Sequence, residues 1–277
     1  MLPHKGILNF YINSSIHVAL AVCSLTYITI LEFNIHLNKT IFCFVFFASV
    51  TGYNFVKYFG VVQFYHVNLT RWLKWIQVFS IICFILMCYF GFHLPLRTLV
   101  FTIILALITF LYAVPILPKK KLFYENKSLR NIGGLKVFLI AIVWCGVTVF
   151  IPIINNDSVI DINVVLTGVQ RFLFAIMLML PFEIRDLQFD SLKLYTIPQR
   201  LGLTGTKGLG ITLGLVMFSL EFLKSERLFT SVLILLGIDI LTVLLIVFSK
   251  ENQGKYFSSF WVEGIPILWF FLILIFI

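Results

Sequence analysis

Residues 180–202 read "LPFEIRDLQFDSLKLYTIPQRLG", and they close a long apolar run with a proline before setting Glu183, Asp186 and Asp190 within one short stretch. The chain holds only twelve acidic residues in 277, so three of them at the mouth of an apolar segment calls for a physical reason. If the run continues as a helix, residues turn about 100° each. The offsets of three and seven then place all three carboxylates on one face about 60° wide. Acids this close raise one another's proton affinity at the edge of a low-dielectric region unless a cation sits among them. A divalent ion answers that need, and magnesium takes one or two protein carboxylates together with phosphate oxygens and water. The face is therefore a candidate metal site, with Glu183, Asp186 and Asp190 as ligands. A blander reading stays open, in which the acids end the helix and pair with Arg185, Lys193 and Arg200. Against it, helical spacing sets Arg185 on the opposite side from the acids.

Working outward, composition sets the class of the chain. Apolar residues make up 60% and charged residues 12%, and the mean hydropathy is +1.03. Such a chain belongs in a bilayer, where spanning helices need roughly 17–25 largely apolar residues. About nine such runs are expected, at 10–31, 40–61, 75–92, 96–115, 135–154, 162–182, 208–223, 228–248 and 257–277. The alternation of a membrane β-barrel is absent, so the fold class is all-α, a polytopic bundle whose backbone groups are satisfied within helices. A single membrane domain is expected to fill residues 1–277. The first apolar run follows only Lys5 and lacks a small-residue cleavage site after it, so it is expected to stay as the first span rather than act as a removable signal.

The net charge of +9 sits in short loops, which points to topology rather than to nucleic acid. Lys57, Arg71 and Lys74 fall around loop 2–3, Lys119 to Lys136 around loop 4–5, and Arg185, Lys193, Arg200 and Lys207 around loop 6–7. The opposite loops carry Lys39, Arg97, Lys224 and Arg227. The positive-inside bias thus predicts a cytoplasmic N-terminus, with loops 2–3, 4–5, 6–7 and 8–9 on the same side. The five cysteines lie within spans and show no metal or redox spacing. Loop 4–5, "LYAVPILPKKKLFYENKSLRNIGGLK", adds basic groups on the acidic side. Its triple lysine reads as a lipid-facing anchor, whereas Arg130 and Lys136 beside a helix start are placed to hold an anion.

These residues resemble the UbiA superfamily of intramembrane prenyltransferases. "EIRDLQFD" followed by "KLYTIPQRLG" is similar to that family's second aspartate-rich motif, with Glu183, Asp186 and Asp190 at the acids and Lys193, Thr196, Pro198, Arg200, Leu201 and Gly202 in the tail. "LYAVPILPKKK" and "LRNIGGLKVFLIAIVW" look like its segments around the fourth and fifth helices. The resemblance implies a bundle with a central cavity open sideways to lipid. It further implies a prenyl diphosphate held by Mg2+ at two aspartate-rich motifs, with Asp186 and Asp190 as the catalytic acids, and transfer of the prenyl group to a lipid-soluble, aromatic acceptor. The "IRD" form is similar to the branch that works on naphthoate in quinone biosynthesis.

The first motif departs from the pattern. At the end of span two the chain reads "TGYNFVKYFG", where Asn54 matches but Phe55 and Tyr58 stand in place of acids and Lys57 adds a positive charge. No carboxylate occurs between Glu32 and Glu125. Two consequences stay open. Lys57 replaces a metal ion as a fixed cation on the diphosphate, with Asn54, Tyr58, Arg130, Lys193 and Arg200 completing the substrate contacts. Alternatively Lys57 pairs with Asp186 or Glu183, and the protein is an isoprenoid- or lipid-binding relative without chemistry. A secondary transporter is a third reading, for which Asp239 in span eight is the lone intramembrane candidate.

Overall fold

A computed structural model describes residues 3–64, 71–113, 134–189, 195–225 and 228–276. Every element among them is helical: α1 (Pro3–Asn13), α2 (Ile16–Glu32), α3 (Lys39–Phe64), α4 (Arg71–Gly91), α5 (Leu96–Ala113), α6 (Leu135–Cys145), α7 (Ile151–Asn155), α8 (Ile162–Asp186), α9 (Ile197–Glu221), α10 (Phe229–Phe248) and α11 (Ile265–Phe276). A π-helical turn, Gly146–Phe150, fuses α6 and α7 into one pass, and a second, Phe257–Val262, leads into α11. Seven helices are long and apolar enough to cross a bilayer. The bent pair α1–α2 counts as an eighth, and Leu96–Leu111 is a shorter apolar helix. The nine apolar runs expected from the sequence thus each fall on a helix or bent helix pair, of which seven or eight are long and apolar enough to cross.

Two boundaries differ from expectation. The first run is not one straight span: α1 and α2 meet at a 55° bend, where Ser15 takes φ 63°. The seventh pass begins at Ile197 rather than 208, because Thr196 caps the helix, its backbone N–H donating to Gln199 Oε1 at 3.1 Å, and Pro198 occupies the first turn, where a missing N–H costs nothing. Gly202, at φ 70° and ψ 174°, breaks the helix once and lets it resume, a conformation open to glycine.

α8 is the central element. Two thirds of its apolar window (67%) is buried in protein, against 11% for α4, which lies at the outside of the bundle. Phe174, Met177, Leu180 and Ile184 on α8 are fully enclosed. Lipid tails are as apolar as leucine, so helices associate through close packing and interhelical polar contacts. Both are present. α9 and α10 approach through Gly210 and Gly214, where an added methyl group would come within 2.9 Å of Ile246 and 2.7 Å of Asp239.

At the end of the bundle remote from Asp186, a charge network ties α2, α8 and α9. Lys224 reaches Glu32 at 2.6 Å and Glu221 at 2.9 Å. Thr167 donates to Glu32 at 2.8 Å, and Gln170 to Glu221 at 3.0 Å. Lys224 and Glu221, both buried, are thus in contact with opposite charge, as low dielectric demands.

Candidate active site

The last two turns of α8 bring Glu183 and Asp186 to one end of the bundle. Glu183 is 1% exposed, and its Oε1 accepts from Lys136 Nζ at 2.8 Å. Lys136 stands in the first turn of α6, which starts after Gly134 in the left-handed region (φ 75°). Its ammonium therefore goes to a carboxylate rather than waiting for an anion at the helix start, as the sequence suggested. Asp186 Oδ1 accepts from Arg185 Nε and Nη2, both at 2.8 Å, and Asp186 Oδ2 lies 4.0 Å from Lys136 Nζ. This corrects the expectation from helical spacing that Arg185 would leave the acids alone. Cα directions separate the two residues, but a long guanidinium side chain at a helix end folds back over its neighbour. The same guanidinium lies over the Phe182 ring at 5.1 Å.

The end of α3 carries the altered first motif, and its polar groups are committed to the bend between α1 and α2. Asn54 is 3% exposed. Its Nδ2 donates to Ser14 O at 3.0 Å and Ser80 Oγ at 2.8 Å, while its Oδ1 accepts from Ser15 Oγ at 2.8 Å. Lys57 Nζ donates to the same Ser15 Oγ at 2.9 Å. Tyr58 OH donates to Asn13 O at 2.9 Å. Lys57 thus pairs with neither Asp186 nor Glu183, and it keeps an exposed face. Asn54 and Tyr58, expected as substrate contacts, serve here to hold a broken helix.

Arg200 is exposed and lies 5.8 Å over the Tyr195 ring at the start of α9. Asp190, Lys193 and Arg130 fall outside the described residues.

Sequence reasoning missed Glu263. It follows the π turn Phe257–Val262 and interacts electrostatically with Lys57, Arg185 and Tyr11. It also missed His17, 4% exposed, which contacts Tyr11 OH through Nδ1 (2.8 Å) and Phe260 O through Nε2 (2.9 Å). A carbonyl only accepts, so Nε2 carries the proton and Tyr11 donates to Nδ1. No motif marks either residue; only the packing of α2 against the last pass brings them into the site.

Among the described residues, no three of His, Cys, Asp and Glu gather as a metal cluster. Glu183, expected as a ligand, is buried against Lys136. Asp186 keeps Oδ2 outside its bond to Arg185 and is 26% exposed. That donor set fits one magnesium ion taking a single described carboxylate oxygen, with phosphate oxygens and water completing its shell.

No family model matches the chain, and no curated protein sequence does. Among solved structures, it is similar to the apo form of a UbiA homolog from Aeropyrum pernix K1, with a TM-score of 0.66 and 14% identity over 94% of this chain and 98% of that one. A UbiA homolog from Archaeoglobus fulgidus bound to GPP and Mg2+ is similar with a TM-score of 0.60 and 14% identity, over 95% and 97%. Digeranylgeranylglyceryl phosphate synthase gives 0.58 and 16%, over 98% and 96%. At such identities the likeness is one of fold, carried along nearly the whole length of each chain.

Proposed function

We propose, for a chain that has the fold of the UbiA homologues, that it transfers a prenyl group from a prenyl diphosphate to a lipid-soluble aromatic acceptor. The observation that carries this reading is Asp186. It ends the central helix beside Lys136 and Arg185 with one carboxylate oxygen outside their direct bonds, in a fold whose solved examples include complexes with GPP or DMAPP and Mg2+.

In this reading Asp186 and Asp190 hold the magnesium ion, which when bound supplies positive charge to the departing diphosphate. Lys57 and Arg185 bind diphosphate oxygens directly, an arrangement in which preorganised cations stabilise charge that develops on the leaving group. Glu183 positions Lys136, which in turn faces Asp186. The bundle excludes water from the allylic cation. The diphosphate enters from the cytoplasmic side, where the basic loops lie, and an aromatic acid of the kind used in quinone biosynthesis accepts the prenyl group.

The second reading, a binding protein without turnover, draws support from Asn54 and Tyr58, whose polar groups are used on the bend. One experiment separates the two. Purified protein in lipid is incubated with GPP or DMAPP, Mg2+ and a panel of aromatic acids, and pyrophosphate release is followed beside Asp186→Asn. Release that requires acceptor and falls by about 100-fold or more in the variant, the range for loss of an electrostatic catalytic group, is the expected result. Diphosphate binding with no release from any acceptor would favour the binding protein.

A further inference from the structure

Glu263 is placed by three independent restraints. Its backbone N–H donates to Ser258 O at 3.2 Å, which is the wide spacing of the π turn; such turns recur at functional positions, where they re-aim the side chains that follow. His17 fixes the turn from α2 through Phe260 O, and its ring stacks on Phe260 at a centroid distance of 5.0 Å. Gln253 donates to Pro181 O at 3.0 Å, and Ser258 Oγ also donates to it at 3.4 Å. The turn is thereby tied to the same end of α8 that carries Arg185.

The carboxylate so placed is unlike the two on α8. Glu183 is bonded to Lys136 and Asp186 to Arg185. Glu263 interacts electrostatically with Lys57 and Arg185, yet among the described residues its carboxylate makes neither a hydrogen bond nor an ion pair within 4.0 Å. It is half-buried rather than sealed. Lys57 is meanwhile anchored by its own bond to Ser15 at 2.9 Å, so the carboxylate is not needed to hold that side chain in place. Two cations facing one site repel each other, and an anion shared between them lowers that cost without closing on either. A diphosphate carries more charge than a carboxylate and matches the guanidinium fork, so it wins the competition for the same two cations.

We propose that Glu263 is a place-holding anion: it balances Lys57 and Arg185 while no diphosphate is bound and gives them up when one arrives. The inference rests on the prenyl diphosphate reading and assigns to the last pass a positioning role for that site. It follows that the negative charge of Glu263 competes with substrate and speeds departure of product. Removing the charge while keeping the shape should tighten both.

The test titrates the full chain in lipid, at fixed Mg2+, with GPP and separately with inorganic pyrophosphate, for the wild type, Glu263→Gln and Glu263→Asp. The expected result is about tenfold tighter binding of both ligands by Glu263→Gln, the scale of one partly screened charge interaction, with Glu263→Asp close to wild type. In turnover, Glu263→Gln should lower KM and kcat together, a split that mere damage to packing does not produce. Binding by Glu263→Gln that is unchanged or weaker, with an unchanged thermal midpoint, overturns the proposal. If Glu263→Gln lowers the midpoint, the Glu263→Asp titration decides, and weakened binding there overturns the proposal as well. A wild type that binds neither GPP nor pyrophosphate would instead remove the prenyl diphosphate reading on which the inference rests.

Discussion

Ser15 holds a left-handed backbone at φ 63°, a conformation that costs a non-glycine residue about 1–2 kcal/mol. Its hydroxyl offsets that cost by donating to Asn54 and accepting from Lys57. Asn54 in turn satisfies the Ser14 carbonyl, which the interrupted helix leaves without a partner. Asn54 and Lys57 therefore differ in role although they lie one turn apart. Asn54→Ala strips partners from Ser14, Ser15 and Ser80 and should destabilise the protein by about 1–3 kcal/mol. Thermal unfolding in detergent should show a midpoint several degrees lower. Lys57→Met should leave the midpoint nearly unchanged, because Ser15 keeps its bond to Asn54, while GPP affinity falls by roughly tenfold or more, as for loss of a charge-assisted contact. A large midpoint loss in Lys57→Met with GPP binding intact would make Lys57 a structural residue and take it out of the site.

At the scale of elements, the seam between α9 and α10 answers the transporter reading. Asp239 is 6% exposed, and its Oδ1 has no hydrogen-bond partner among the described residues. It lies against Gly214, where an added Cβ would meet Asp239 Oδ1 at 2.7 Å and Val243 Cγ2 at 3.0 Å. The carboxylate thus sits in a helix contact, where small residues permit close approach, rather than among the charged residues around Asp186. Gly214→Ala should cost about 1–3 kcal/mol through overpacking. Adding Asp239→Ala should recover much of that loss, because the struck oxygen is gone, and a double-mutant cycle would measure the coupling. Asp239→Asn should leave pyrophosphate release unchanged. Its abolition, or an Asp239-dependent solute flux in vesicles, would return Asp239 to the centre of the function.

At the scale of the whole molecule, the passes were legible because bilayer thickness sets their length and composition marks them. The acidic end of α8 was legible because Glu183 and Asp186 share one helix face, a local property of spacing. What spacing does not encode is which side chain crosses to another helix. Lys136 meets Glu183 from α6, and Glu263 on the last pass faces Lys57 and Arg185 electrostatically without bonding to either. The bend at Ser14 and Ser15 was hidden for a related reason: no proline or glycine marks it, and it is supported by α3 rather than by its own sequence. Sidedness is the property that loop charge predicts and the fold leaves open. With the site end cytoplasmic, a cysteine at Lys250, exposed just after α10, should react with an impermeant maleimide only once cells are permeabilised. A cysteine at Val159, 82% exposed in the turn before α8, should react in intact cells. The five native cysteines lie within helices, two of them buried, and give a low background. The reverse labelling pattern would place Asp186 and its cations on the outer face, away from a cytoplasmic supply of diphosphate, and the proposed reaction would then need a substrate delivered from the other side.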